Sequence, residues 1–169
     1  MIETLIRDVP NFPKPGILFK DITPLLQSAE GLAETIARFQ RVIPSASYDI
    51  ICGIESRGFI FGTALAVMAG KGFVPIRKPG KLPYKTAKES YDLEYGQDTI
   101  EIHVDALTRG QRVLIVDDLL ATGGTMAAAA SLVRRIGANP IAAAVVLELA
   151  FLKGRERLGS LPAHSLIRY

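Results

Sequence analysis

The sequence predicts an α/β domain in which helices cover both faces of a central, mostly parallel sheet. Several short segments are apolar throughout, which is typical of strands that are buried on both faces. Segments with helical character separate them, and this alternation indicates strand–helix–strand units. A chain of 169 residues is the size of one domain with a sizeable core, and neither an internal repeat nor a linker divides it. We therefore expect residues 1–169 to form a single domain.

The elements follow one another in a regular order. Leu32, Ile36 and Phe39 recur at helical spacing behind Ser28, a residue type that caps helices, and predict a helix over Ser28–Ile43. The segment between Ile76 and Thr99 is expected to be a long irregular stretch. The other expected elements are strands over Tyr48–Ile54, Phe73–Ile76, Thr99–Val104, Val113–Val116 and Ile141–Leu147, a helix over Gly58–Gly70, and a helix over Gly124–Ile136 that stops at Gly137.

Composition excludes several classes of protein. The formal net charge of +3, without a dense basic face or an RNA-reading motif, argues against a nucleic-acid partner. No run reaches the ~18 apolar residues of a membrane span, and charged residues near the N-terminus argue against a secretory signal. The single cysteine, Cys52, lies in an apolar run and is expected to be a buried hydrophobe in a reducing compartment. A cytoplasmic protein without membrane contact is the expectation.

The stretch "VLIVDDLLATGGTM", residues Val113–Met126, carries the main functional signal. Two carboxylates, Asp117 and Asp118, are expected at the carboxyl end of a central strand, where parallel sheets bind ligands. The loop Ala121–Thr125 follows, and the backbone N–H groups of its last four residues, Thr122, Gly123, Gly124 and Thr125, can converge on a phosphate at the start of a helix. The acids repel that phosphate, so they need either a ribose diol or Mg²⁺. A sugar 5-phosphate satisfies both halves of the stretch.

Other interpretations of this stretch explain less. A Walker B strand would need the G-x-x-x-x-G-K-[ST] loop, and a dinucleotide-binding turn would need G-x-G-x-x-G; the chain contains neither. A merely solvated strand end would leave both the doubled acid and the Thr-Gly-Gly-Thr run unexplained.

The same stretch resembles the phosphoribosyl-pyrophosphate (PRPP) binding motif of the type I phosphoribosyltransferases. Further segments resemble other signatures of the adenine-specific members, in the same order: "FPKPGILFKDITPLL" (Phe12–Leu26), "GIESRGFIFG" (Gly53–Gly62), "IRKPGKLP" (Ile76–Pro83) and "YDLEYG" (Tyr91–Gly96). The resemblance spans nearly the whole chain. It implies the type I phosphoribosyltransferase fold, with a flexible lid loop and a small N-terminal hood. It also implies Mg²⁺-dependent purine salvage, in which adenine and PRPP give AMP and pyrophosphate.

Pyrophosphate needs cations and backbone N–H groups. The strand-to-helix loop that contains Glu55, Ser56 and Arg57 offers both, and the resemblance implies a cis peptide between the first two of these residues. Five cations lie between Arg77 and Lys88, and in a loop of this length they suggest a lid that closes over PRPP. Three of the five are assigned to pyrophosphate: Arg77, Lys78 and Lys81.

The resemblance also implies roles around the base. Glu94 is expected to accept the proton that adenine loses, Tyr95 to close over the site, and Arg57 to assist catalysis. Phe19 would stack on adenine while backbone groups of Leu18 and Lys20 read its edge. Many members have arginine in place of Lys20. This difference leaves the specificity for the base unchanged if the contact is made by the backbone, but it affects the specificity if the side chain makes the contact.

Several points stay open at this stage. Mg²⁺ would be held mainly by PRPP, with a water-mediated contact to Asp117 or Asp118 as an option, and no direct protein ligand is expected. His103 and His164 are interpreted as structural. The resemblance implies a homodimer, and the helix Gly58–Gly70, which has almost no polar face, agrees with one. Transfer to another base, and a regulatory PRPP sensor, are the alternative functions.

Overall fold

The computed structural model describes residues 1–93 and 95–169. The strands are β1 (Arg7–Pro10), β2 (Leu18–Asp21), β3 (Ile50–Ile54), β4 (Gly72–Ile76), β5 (Thr86–Asp92), β6 (Gln97–His103), β7 (Arg112–Leu120), β8 (Asn139–Glu148) and β9 (Ala163–Arg168). The α-helices are α1 (Thr23–Gln27), α2 (Ala29–Val42), α3 (Arg57–Ala69), α4 (Gly124–Arg135) and α5 (Gly154–Arg157).

A five-stranded parallel sheet in the order β4-β3-β7-β8-β9 forms the centre of the molecule. The three middle strands, β3, β7 and β8, are buried along most of their length. Such strands need cover on both faces. One face packs against α2 and α3, and the other packs against α4 and a separate β5–β6 hairpin, so two apolar cores enclose the sheet. These observations confirm the predicted α/β architecture.

The three long helices also agree with the sequence analysis. α2 begins after Ser28, whose Oγ accepts a hydrogen bond from the backbone N–H of Gly31 at 2.9 Å. α3 ends at Gly70, which adopts the left-handed conformation that glycine reaches without a steric penalty. In the part of the chain that the structure describes, no helix is both long enough and apolar enough to cross a membrane.

The expected irregular stretch between Ile76 and Thr99 is wrong in its second half. Residues Thr86–Asp92 form β5, which pairs antiparallel with β6. The strand predicted over Thr99–Val104 is real, but it belongs to this hairpin and not to the parallel sheet. β5 alternates half-buried and exposed residues, TAKESYD, as a strand with one covered face does. Its charged residues conceal that period from a search for apolar runs.

The strand predicted over Val113–Val116 is longer than expected. β7 continues to Leu120, so Asp117 and Asp118 lie within the strand and not after it. β8 extends the ladder because Leu119 and Leu120 pair with Leu147 and Glu148. The acids are therefore held on a paired backbone.

A small antiparallel pair, β1–β2, lies at the N-terminus, which is the place where the resemblance implied a hood. We refer to residues Arg7–Asp21 as the hood. Lys20 of β2 pairs with Asp8 at 2.6 Å, and its ammonium lies 3.9 Å from the ring centroid of Tyr169. These contacts hold the hood against the end of β9.

Candidate active site

A cavity of about 440 Å³ opens at the carboxyl ends of β3 and β7. This is the edge where open parallel sheets bind ligands. Its walls come from the loop after β3, the acid pair of β7, the loop before α4, and the inner side of the hairpin. The residues assigned from the sequence that line it are Glu55, Ser56, Arg57, Lys78, Asp117, Asp118, Ala121, Thr122, Gly123, Gly124 and Thr125.

The loop after β7, together with the first residue of α4, forms one end of the cavity; we call these residues, 121–124, the phosphate loop. Gly123 has a φ of +86° and caps α4, a conformation that side chains rarely adopt. The first N–H groups of α4 have no partner within the helix, and the helix dipole adds partial positive charge beside them. This end of the cavity therefore suits an anion.

Asp117 and Asp118 lie beside this loop, and the two carboxylates differ in the donors that contact them. Asp118 accepts a hydrogen bond from Nε of Arg57 at 2.5 Å, and its own backbone N–H donates to Oδ1 of Asp117 at 2.8 Å. Among the described residues, none forms an ion pair with Asp117. Burial, together with the charge of Asp118, raises the pKa of Asp117 well above its ordinary value.

Gly58 sets the distance between the two strand ends. A Cβ on this residue would lie 2.7 Å from the carbonyl oxygen of Val116 and 3.1 Å from Cα of Asp117. Because only glycine permits that approach, the start of α3 packs directly on β7. Arg57 is thereby brought to Asp118.

The loop after β3 supplies the opposite wall. The Glu55–Ser56 peptide is cis, as the resemblance implied. Oε1 of Glu55 accepts from the backbone N–H of Lys78 at 2.5 Å and lies 3.3 Å from Nε of Arg77. The carboxylate of Glu55 thus ties this loop to the segment after β4 and does not itself offer a donor to an anion.

The hairpin forms a wall that the sequence analysis did not assign. Tyr91 accepts a hydrogen bond from Oγ1 of Thr125 at 3.0 Å and donates to Asp98 at 3.2 Å. Asp98 also pairs with the ammonium of Lys78. Burial opposes ionisation of Asp98, but its hydrogen bond with Lys78 is among the contacts that leave its pKa below the ordinary value. Alternation in β5 and β6 was the signal that could have found Tyr91 and Asp98.

Three of the predicted lid residues lie off the cavity wall. The guanidinium of Arg77 faces the ring of Phe59 at 5.7 Å, Lys81 is exposed, and Tyr95 is 82% exposed. Glu94 lies outside the described residues. Their roles stay predictions.

The hood residues assigned to the base also lie off the cavity wall. Leu18 is 51% exposed, and Phe19 packs edge-on against Phe12 at 5.1 Å. The Lys20 side chain is occupied by Asp8 and Tyr169 and is therefore not available to another partner.

Of the described residues, no group of three or more His, Cys, Asp or Glu side chains is arranged to hold a metal ion. The two histidines lie away from the cavity wall: Nε2 of His103 accepts from the backbone N–H of Tyr84 at 3.2 Å, and burial lowers the pKa of His164.

The fold and the site together define a phosphoribosyl transferase. Residues 20–158 match the family model for the phosphoribosyl transferase domain. Adenine phosphoribosyltransferase of Acidobacterium capsulatum is 54% identical over 168 residues, which cover 99% of this chain and 93% of the relative. The chain belongs to the adenine phosphoribosyltransferase family.

Solved structures agree with this assignment. The crystal structure of adenine phosphoribosyltransferase from Thermoanaerobacter pseudethanolicus is 49% identical, with a TM-score of 0.97 over 99% of this chain and 98% of that one. The enzyme from Saccharomyces cerevisiae, solved with adenine and an imino-altritol bisphosphate, is 43% identical, with a TM-score of 0.92 over 98% and 96% of the two chains. The chain is thus an enzyme of the pentosyltransferase class with the type I phosphoribosyltransferase fold.

Proposed function

We propose a division of roles among the residues of the cavity for the family's reaction, in which adenine and PRPP give AMP and pyrophosphate. One observation carries the proposal: the acid pair and the phosphate loop share one cavity, spaced along a single strand and the turn that follows it. A sugar 5-phosphate presents a phosphate at one end and two hydroxyls at the other. The phosphate loop binds the phosphate, and the carboxylates of Asp117 and Asp118 accept hydrogen bonds from the hydroxyls.

Asp117 is the stronger candidate for the diol. Arg57 already occupies one oxygen of Asp118, while the charge on Asp117 is not offset by a comparable partner. Two hydroxyl donors would stabilise the ionised form of Asp117 in place of water.

Pyrophosphate is assigned to the opposite wall. Arg57 and Lys78 bring positive charge to the cavity, and Ser56 brings a backbone N–H and a hydroxyl. Arg57 would offset the charge that grows on the leaving group as the bond to C1 of ribose breaks. Arg77 and Lys81 remain candidates for pyrophosphate if the lid rearranges on binding.

The carboxylates of the cavity fit a Mg²⁺ ion that enters the site already bound to PRPP. Asp117 and Asp118 are hard oxygen donors, but two carboxylates fall short of the six ligands that Mg²⁺ prefers. PRPP oxygens and water would complete the set, with Asp117 or Asp118 making contact through water. When bound, the ion would offset pyrophosphate charge.

The base is assigned to the hood. Phe19 offers a face for stacking, and backbone groups of Leu18 and Lys20 offer an acceptor and a donor that match the amino group and ring nitrogen of adenine. The engagement of the Lys20 side chain with Asp8 and Tyr169 supports a backbone contact. Lysine in place of arginine is then compatible with adenine specificity.

The proton acceptor is assigned by resemblance to Glu94. Glu94 belongs to the segment "YDLEYG" in sequence, and its neighbour Leu93 lines the cavity. Tyr95 is assigned to closure. The whole reaction is placed in the cytoplasm, where a buried free thiol such as Cys52 stays reduced.

A homodimer is proposed for the assembly. α3 presents an apolar outer face, with Ile60 40%, Val67 74% and Met68 63% exposed, and such a patch favours a partner surface. Sedimentation should give a dimer that Val67→Glu weakens and that Lys71→Glu, two residues beyond the end of α3, leaves intact. Mixing inactive Arg57→Ala and Arg77→Ala subunits would restore activity only if the site is shared between subunits.

A turnover assay with a panel of bases tests the proposed specificity. Pyrophosphate release from PRPP should be fast with adenine and near background with hypoxanthine and guanine, because their 6-oxo group offers no donor to the hood. Lys20→Ala should keep this preference. A better rate with a 6-oxopurine would contradict the adenine assignment.

A further inference from the structure

A polar cluster lies behind the phosphate loop, outside the cavity. At its centre is Glu148, the last residue of β8, which is 2% exposed. Both carboxylate oxygens accept from Arg155, each at 2.7 Å, and the hydroxyl of Ser165 donates to one of them at 2.5 Å. Arg168 approaches to 3.2 Å. A buried carboxylate with this many donors is fixed in orientation.

Arg155 links the buried carboxylate to the adjoining helix. It belongs to α5, and besides Glu148 it donates to the carbonyl oxygen of Ala163 at 2.6 Å. The first turn of α5 is therefore fastened to β8 and β9 at once. Lys153, just before it, has a φ of 55°, a left-handed conformation that a non-glycine residue keeps only where its surroundings impose it.

Gly154, between these two residues, touches the phosphate loop backbone to backbone. A Cβ on Gly154 would lie 2.4 Å from the carbonyl oxygen of Ala121 and 3.2 Å from the backbone nitrogen of Gly123. In the other direction, a Cβ on Gly123 would lie 2.3 Å from the carbonyl oxygen of Gly154. The two glycines interlock, so the shape of the loop depends on where α5 lies.

We propose that Glu148 and Arg155 are positioning residues for phosphate binding, which act through Gly154 by fixing the backbone of the phosphate loop from behind. This inference rests on the proposed function of that loop. N–H groups bind an anion well only when they already converge on it, because reorganising them on binding consumes affinity. The Glu148–Arg155 pair supplies that fixed geometry without touching the ligand.

The direct test is Gly154→Ala, with Gly72→Ala as the matched control. Neither glycine has a positive φ, but a Cβ on Gly72 would meet its nearest atom at an ordinary 3.5 Å. Gly154→Ala should raise the Kd for ribose 5-phosphate, measured by calorimetry, by about 10–100-fold, the loss that a shift of about 1 Å in a site produces. Gly72→Ala should leave the Kd unchanged.

A second variant keeps the proposal testable if Gly154→Ala does not fold. Arg155→Lys retains the charge but loses the two-point contact with Glu148. Its control, Arg112→Lys, alters a similar arginine–carboxylate pair, with Asp49, at the opposite edge of the sheet. Arg155→Lys should raise KM for PRPP several-fold while KM for adenine and kcat stay near their original values.

The outcomes separate this inference from the proposed function. An unchanged Kd for ribose 5-phosphate in folded Gly154→Ala, or an equal rise in both KM values for Arg155→Lys, would overturn the inference. Wild-type protein that does not bind ribose 5-phosphate would instead overturn the proposed function of the phosphate loop.

Discussion

Asp117 and Glu148 are carboxylates near the same edge of the sheet, on the neighbouring strands β7 and β8, yet their environments push them in opposite directions. Burial and Asp118 raise the pKa of Asp117. Hydrogen bonds from Arg155 lower the pKa of Glu148, with burial opposing them and Ser165 assisting. The protein offers little positive charge to Asp117, whereas Glu148 has hydrogen-bond donors at both of its carboxylate oxygens.

The contrast separates two uses of a buried charge. A carboxylate that is to receive a ligand has to be left short of donors, and the fold carries the cost of its desolvation. A carboxylate that holds structure has its donors within the chain. Stability should therefore respond in opposite ways to neutralising the two acids, and activity should respond mainly to one of them.

The largest effect is expected on activity, from replacing the acid pair. Asp117→Asn with Asp118→Asn should lower kcat/KM for PRPP by about 10²–10⁴-fold, because hydrogen bonds to charged groups contribute about 1.5–3 kcal/mol each. Steady-state kinetics measure this, and circular dichroism should show an intact fold. Asp49→Asn, at the opposite edge, is the control. A folded double variant with wild-type activity would remove the diol assignment.

A loss of similar or smaller size should follow from replacing the proposed proton acceptor. Glu94→Ala should lower kcat by about 10²–10⁴-fold and leave the Kd for PRPP nearly unchanged, since proton transfer contributes to rate and not to donor affinity. Single-turnover kinetics separate the two quantities, with Asp92→Ala as the neighbouring control. If only the Kd rises, Glu94 positions PRPP.

The next effect is on stability. Glu148→Gln should lower Tm by about 5–10 °C, which corresponds to roughly 2–3 kcal/mol in a domain of this size. That is less than the 3–5 kcal/mol of a fully buried pair, because Arg155 reaches solvent. Calorimetry measures the shift. A Tm equal to that of the wild type would show that the cluster around Glu148 does not stabilise the packing of β8, β9 and α5.

The smallest effect has the opposite sign. Asp117→Asn alone should raise Tm at pH 7.5 by about 2–4 °C, the shift that about 1 kcal/mol gives, because folding penalises the ionised acid. The gain in Tm is largest at pH values above the raised pKa that Asp117 has in the folded protein. It shrinks as the pH falls through that pKa toward the pKa of about 3.9 in the unfolded chain. A gain that grows in acid would contradict the direction of the shift.

The effect of Glu148→Gln shrinks in acid as well, for the converse reason. Its lowered pKa gives stability that is present above about pH 4.3 and is lost as pH falls through the folded value. Thermal scans from pH 7.5 to pH 4.5 should therefore bring only Asp117→Asn toward the wild type, and the deficit of Glu148→Gln should begin to shrink only below about pH 4.3.

The sequence predicted the parallel sheet and its long helices because their signals are local: apolar runs, a serine cap and glycine stops. It also predicted the acid pair and the phosphate loop, which are contiguous in Val113–Met126. The hairpin wall was missed because Tyr91 and Asp98 meet the loop only through tertiary packing. The Glu148–Arg155 pair was missed for a similar reason, since six residues separate two side chains that only the fold brings together.

Gly58 gives the cavity a fixed span. The atom that this residue lacks lets α3 rest on β7, so the distance from the wall proposed for pyrophosphate to the acid pair is set by backbone contact and not by adjustable side chains. A larger residue there would spread the two walls by about the width of a methyl group. Position 58 is therefore where selection, natural or in the laboratory, could retune the enzyme to a donor of different length.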